Sequence, residues 1–294
     1  MSAGVLEQPS TPAAPPQDRP PLPDFVRRTR LRLLLGIVIT LALAAWSIHS
    51  LGIRPARLSG IANLLQIVRE AFPPDASLAK IALKAIFETL QIAFLGTLIG
   101  SLFALPLALL GSRNLFGPWI TLPTRLLLAG IRTLPALLWA VIFVIAVGLG
   151  PLAGVLASAA YSIGYLGKLQ YEAIEGMDPA ALHAVGAAGA STAQLIRYVV
   201  LPESANHLLS QLLFMFEYNV RASSIFGFVG AGGIGFYIAG YLTVFRYQSV
   251  LTLLLAVFLT VIAIDYLSVK LRDRFLVPTH APRRRVDDEL PPAD

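Results

Sequence analysis

The sequence predicts an all-α integral membrane protein with about six transmembrane helices, and three observations carry that reading. Hydrophobic residues make up 56% of the chain and charged ones 14%, against roughly 45–50% and about 25% in soluble domains. Six apolar windows follow one another, roughly at 31–50, 84–110, 133–150, 152–171, 205–228 and 248–269. Each is long enough, or nearly so, to cross a hydrocarbon layer, where only helices keep a single segment's backbone groups paired. Basic residues flank these windows, so the net charge of +6 reads as membrane anchoring rather than nucleic-acid binding. The chain has no cysteine, which excludes a disulfide framework and a thiolate metal site.

The elements follow in chain order. Residues 1–24 are rich in proline and poor in core-forming residues, as expected of a disordered tail. Residues 25–83 hold the first helix and an outer loop. Arg27, Arg28, Arg30 and Arg32 precede that helix and should keep the N-terminus in the cytoplasm. Ala42-Leu43-Ala44 imitates a signal-peptide cleavage site, but it lies inside the apolar run, which favours a retained anchor. In the loop, Leu58, Ile61, Leu65, Val68 and Phe72 form one apolar stripe at helical spacing. The stripe fits either the outer membrane face or packing against other loops. Arg54, Arg57, Arg69 and Lys80 also fall there, so the positive-inside bias is imperfect. Residues 84–276 carry the remaining spans. Lys270, Arg272 and Arg274 follow the last one and place the C-terminus with the N-terminus, which an even number of spans satisfies. Residues 277–294 read as a second disordered tail, with a basic cluster at Arg283, Arg284 and Arg285.

Within the core, Gly96, Gly100, Ala104 and Ala108 recur every four residues. Such a stripe admits another helix to backbone contact, in the same chain or across a dimer.

Residues 172–202 form a polar, helix-prone island between apolar windows. Glu172 and Glu175 close the fourth span. Asp178-Pro179 can start a short helix, with Asp as N-cap and Pro at the first helical position. Gly186, Gly189 and Ala190 leave room for another surface, and Leu201-Pro202 marks a turn or the start of the fifth span. Read from His183-Ala184-Val185, three residues precede Gly189, and nine more precede Val199, which stands two before Leu201. This spacing resembles the cytoplasmic coupling loop of bacterial ABC-importer permeases, Glu-Ala-Ala-x3-Gly-x9-Ile-x-Leu-Pro. His183 stands where that family usually has Glu, so a contact made by the Glu does not carry over.

A wider resemblance covers most of residues 80–275. Glu88-Thr89-Leu90, Ser112-Arg113-Asn114-Leu115, Arg132-Thr133-Leu134-Pro135, Val147-Gly148-Leu149-Gly150-Pro151 and Tyr165-Leu166-Gly167-Lys168-Leu169 resemble the permease of the phosphonate importer family. Asn219-Val220-Arg221-Ala222-Ser223 and Gly230-Ala231-Gly232-Gly233-Ile234-Gly235 do so too. The resemblance implies a type I ABC-importer permease fold with a cytoplasmic coupling helix. It implies a homodimer of this chain in the bacterial inner membrane, two copies of an ATPase subunit and an extracytoplasmic phosphonate-binding protein. Phosphite and phosphate importers share the scaffold, so the oxyanion stays open. No cofactor, catalytic residue, metal site or nucleic-acid partner is expected.

Several residues are candidates for the pathway or gate, each beside a plainer reading. Glu217 and Arg221 lie four apart on the fifth span, acid first, the favourable order for a helical ion pair. They form a self-neutralising pair inside the bundle, or Arg221 borders the anion path and Glu217 holds it. Arg suits bidentate contact with phosphonate oxygens. Lys168 can snorkel to the inner interface or reach Glu172. Arg132 is a pathway group or a helix-end anchor, and Asn219 lies one turn before Ser223. Gly230, Gly232, Gly233 and Gly235 formally match Gly-x-Gly-x-x-Gly. A dinucleotide site is excluded, because an apolar helix precedes the segment and no acid follows in reach. The glycines fit a broken-helix bend at the outer mouth or close helix packing. No Gly-x4-Gly-Lys-Ser/Thr loop exists, so ATP binding belongs to another chain. The competing class, a secondary transporter, would need buried acids for ion coupling. Only Glu217 and Asp265 qualify, and no internal repeat is visible.

Overall fold

The computed structural model describes residues 24–52 and 60–275 of the 294-residue chain. The stretches 1–23 and 276–294, with Arg54, Arg57 and Leu58, lie outside the described residues, as do the side chains of Arg27, Arg28, Arg30 and Ile61. Every described regular element is helical. Two units are distinguished, Met1–Leu64 and Leu65–Asp294. The first contains α1 (Asp24–Ser50), whose large apolar side chains from Leu33 to Ile48 are more than half exposed. Of the apolar stripe, Leu65 and Val68 lie on a helix, α2 (Gly60–Ala71), with Phe72 just past its end, and all three are largely exposed.

The second unit continues with α3 (Ala79–Gly111), α4 (Pro118–Thr133), α5 (Ala136–Val147), α6 (Pro151–Glu175) and α7 (Pro179–Ala187). It ends with α8 (Thr192–Leu195), α9 (Leu201–Phe226), α10 (Ile234–Thr243) and α11 (Tyr247–Phe275). Four helices, α1, α3, α6 and α11, are long and apolar enough to cross a membrane alone, and two bent pairs raise the number to six.

One bent pair corrects the expected third span at 133–150. Its helix, α5, has 12 residues, about 18 Å at 1.5 Å per residue, too short to cross by itself. It meets α4 at an 86° bend. The cause is Pro135: the residue before a proline is driven out of the helical region, and Leu134 is extended, with φ −90° and ψ 124°. The apolar window gave no sign of α4, because Pro118, Pro123, Arg125 and Arg132 interrupt its apolar residues.

At the centre, α3 packs on α6. Gly96, Gly100, Ala104 and Ala108 are all buried, and the stripe's partner is this chain's own α6. A Cβ on Gly96 would lie 2.2 Å from Ser158 Cβ, and one on Gly100 2.3 Å from Ser162 Cβ. Nothing larger than hydrogen fits, which is how membrane helices gain contact where lipid supplies no hydrophobic drive. The same logic joins α4 to α6, with Leu128 seated on Gly167 and Ile131 on Gly164. The α9 helix closes the core. Its fully buried Asn219 donates from Nδ2 to Thr97 Oγ1 and Ser162 Oγ, both at 2.9 Å, knotting α3, α6 and α9.

Candidate functional site

The residues of the polar island fold into α7, α8 and the short turn that leads into α9. Asp178 is the N-cap of α7 and accepts from the Ala180 N–H at 2.9 Å, with Pro179 at the first helical position. Leu182 is buried against Ile174, Val199 and Val200, and Ala181 and Val185 pack beside it. The opposite side carries His183 and Ala184, both exposed. Gly186 is open on its outer side, and Gly189 turns the chain at φ +81°, its N–H donating to the Gly186 carbonyl at 2.9 Å. Half-buried Ala190 leads into Ser191, which caps α8 in a reciprocal box with Gln194. A π-helical turn, Ile196–Val200, then feeds α9, with Leu201 half-buried and Pro202 exposed in its first turn. So α7 is fastened by its packed face to the end of α6 and to the turn that precedes α9, and its opposite face is exposed.

A clasp that the motif did not single out ties this surface to α3 and α4. The Glu175 carboxylate, at the end of α6, pairs with the Arg125 guanidinium of α4 and accepts the Arg113 N–H at 2.7 Å. Arg125 also donates from Nε to the Gly111 carbonyl at 2.7 Å and lies over the Tyr171 ring. Asn114 donates to the Ile174 carbonyl at 2.9 Å. This accounts for the Ser112–Leu115 motif: it holds the end of α3 against the start of the island. Charge-assisted bonds of this kind contribute about 2 kcal/mol each. Glu175→Gln is therefore expected to lower the melting temperature of the detergent-solubilised protein by several degrees. An unchanged melting curve would remove the clasp from the account.

The pathway candidates are scattered. Lys168 pairs with Glu172 at 3.2 Å toward the C-terminal end of α6. Glu217 meets Arg221 at 4.0 Å and Arg272 of α11 at 3.3 Å, while Arg221 lies 3.7 Å from Asp265. Two acids and two bases thus neutralise one another between α9 and α11, which favours the structural reading of Glu217 and Arg221. Asn219 lies inside the bundle, as described. Arg132 sits exposed at the α4–α5 elbow.

The glycine segment is a break between α9 and α10, which are bent by 41°. Gly230, Gly232 and Gly233 have φ of +85°, +81° and +73°, a region that side chains disfavour. Gly235 presses on α9, where a Cβ would come 2.0 Å from the Ser224 carbonyl oxygen. The break is held from α3: Glu88 Oε1 accepts the Gly233 N–H and Thr89 Oγ1 the Ile234 N–H, each at 2.9 Å. The Gly150 N–H donates to the Gly230 carbonyl at 2.8 Å. Glu88 and Thr89 are thus caps for α10, a role signalled only by an acid standing inside an apolar window.

The comparisons with known proteins agree with this geometry. The phosphite transport system permease protein PtxC of Stutzerimonas stutzeri is 36% identical over 247 residues, covering 84% of this chain and 88% of that protein. The phosphate-import permease protein PhnE of Mycolicibacterium smegmatis is 33% identical over 259 residues, or 87% of this chain and 48% of that protein. Among solved structures, the inward-facing MetNI methionine ABC transporter matches with a TM-score of 0.60 at 20% identity, over 68% of this chain and 98% of that one. An amino acid ABC transporter gives 0.57 at 22% identity, over 67% and 95%. These two likenesses concern the fold, which is that of type I ABC-importer permeases. The family described as binding-protein-dependent transport system inner membrane component matches residues 96–276, and the chain belongs to it.

Proposed function

We propose that this chain is the permease of an ABC importer that carries phosphonate, phosphite or phosphate across the bacterial inner membrane. The observation that carries the mechanism is α7, anchored on its inner side by Leu182 and Val185 and open on its outer side at His183, Ala184, Gly186 and Gly189. A separate ATPase, present in two copies, would press on that outer face when it binds ATP. The Leu182 cluster and the Glu175–Arg125 clasp would pass the movement to α3, α4, α6 and α9 together. Two copies of the chain would form the conduit, both termini would lie in the cytoplasm, and an extracytoplasmic binding protein would deliver the anion. The substrate class rests on the names of the relatives, which handle phosphite and phosphate.

A secondary transporter is less well supported. It needs ionisable acids free to take up and release a coupling ion, whereas Glu217 and Asp265 are engaged by Arg272 and Arg221. The test is affinity purification in a mild detergent, followed by uptake of labelled phosphite into cells that lack other importers for it. An ATPase chain should co-purify, and uptake should depend on it. Recovery of the folded chain without any ATPase, together with ATP-independent uptake, would overturn the proposal.

A further inference from the structure

Arg132 differs from the paired cations described above. Its stem lies against Gly164, where a Cβ would come 2.8 Å from Arg132 Cγ. Gly164 stands near the middle of α6 (Pro151–Glu175), roughly 16–20 Å from either end at 1.5 Å per residue. That places the Arg132 stem close to the centre of a hydrocarbon layer about 30 Å thick, too deep for its guanidinium to reach an interface by snorkelling. Lys168, Arg125, Arg221 and Arg272 each have a carboxylate within 4 Å, and Arg132 has none among the described residues. An exposed and unneutralised guanidinium at this depth is costly against lipid, so the elbow must face water or a polar protein surface.

The groups beside it suit an anion. Tyr161 stacks on Tyr218 at 5.0 Å and on Tyr165 at 5.9 Å, all three half-buried. Tyr161 stands one turn before Gly164 on α6, the residue against which the Arg132 stem lies. A planar guanidinium matches the oxygens of a tetrahedral anion, and phenol hydroxyls can donate to those left over. Tyr161, Tyr165, Lys168 and Glu172 follow at helical spacing down one side of α6, and Lys168 is already paired with Glu172. Along this side of α6 the unpaired positive charge is therefore that of Arg132, since Lys168 is neutralised by Glu172.

We propose that Arg132, with Tyr161 and Tyr218, forms a transient resting site for the phosphorus oxyanion midway through the conduit. The inference rests on the transport reading above and names its binding residues. The site has one fixed cation per copy and open sides, so it attracts the anion without retaining it, and high affinity is left to the binding protein.

The chain has no cysteine of its own, so Thr133→Cys places a single reporter thiol beside Arg132. The variant would be assembled with its partner subunits in vesicles and labelled with small anionic and cationic thiosulfonates. The anionic reagent should react several-fold faster, and added phosphite or methylphosphonate should slow it. Adding Arg132→Gln should abolish both effects and lower phosphite uptake about tenfold or more, with ATP hydrolysis nearly unchanged. Arg132→Lys should recover part of the uptake, because charge remains while the fork is lost. Equal labelling by the two reagents, or wild-type uptake by Arg132→Gln, would overturn the site. If Arg132→Gln does not accumulate, labelling of the Thr133→Cys protein with Arg132 intact decides alone. A complex that shows the labelling preference but imports no phosphorus oxyanion would instead overturn the substrate reading and leave an anion-attracting elbow.

Discussion

Replacement of Gly100 by leucine is expected to leave almost no folded protein in the membrane. Gly100 lies where α3 and α6 touch backbone to backbone, with a hypothetical Cβ 2.3 Å from Ser162 Cβ and 3.1 Å from the Ala159 carbonyl oxygen. These neighbours are backbone or the first atom of a side chain, so no rotamer change can relieve the clash, and the helices must separate. Overpacking a core typically costs 1–3 kcal/mol and occasionally more, out of about 5–15 kcal/mol of total stability. Separation here would also pull Ser162 away from Asn219, which bonds it and Thr97 at 2.9 Å, leaving a buried amide with fewer partners. Gly130→Leu is the control, since nothing lies within 4 Å of its would-be Cβ. Size-exclusion profiles of detergent extracts should show a sharp peak for the control and aggregate or nothing for Gly100→Leu. A normal peak for Gly100→Leu would mean that α3 and α6 do not pack as described.

Replacement of Gly186 by tryptophan should act in the opposite sense, keeping the fold and stopping transport. Gly186 is helical, with open space where a Cβ would point, so the indole strains nothing within the chain. It would stand on the surface offered to the ATPase, and uptake is expected to fall at least about tenfold, which corresponds to roughly 1.4 kcal/mol of lost coupling. Gly189 offers a second position with a different balance. Its φ of +81° makes any side chain cost about 1–2 kcal/mol, so Gly189→Ala reports strain and Gly189→Trp reports strain plus bulk. Uptake by Gly186→Trp equal to that of the parent, at equal amounts in the membrane, would remove α7 from the coupling role.

Much of this fold was legible because its main constraints are compositional. Apolar windows long enough to span must be helical in lipid, and five of the six expected windows match long helices. The four-residue stripe at Gly96–Ala108 announced a close helix contact, although spacing alone could not say that the partner was α6. The α4–α5 elbow was hidden, since a hydropathy window passes over Leu134-Pro135 without registering that Leu134 is extended. The α9–α10 break was one of the two readings that Gly230–Gly235 left open, but its caps were not visible, because Glu88 and Thr89 lie some 145 residues away in the chain. The same holds for Arg125 and Glu175, which are 50 residues apart and ordinary when read singly. Glu217 and Arg221 were visible as a pair by their spacing, whereas Asp265 and Arg272, which complete the neutral group, could be joined to them only in three dimensions.

The central claim is that this chain opens and closes a path but does not drive transport. The most direct measurement reconstitutes the purified chain into vesicles, alone and together with its ATPase and binding protein, and follows labelled phosphite with and without ATP. Accumulation against a gradient only with all components and ATP is the predicted result. Uphill accumulation by the chain alone, driven by an ion gradient, would contradict it.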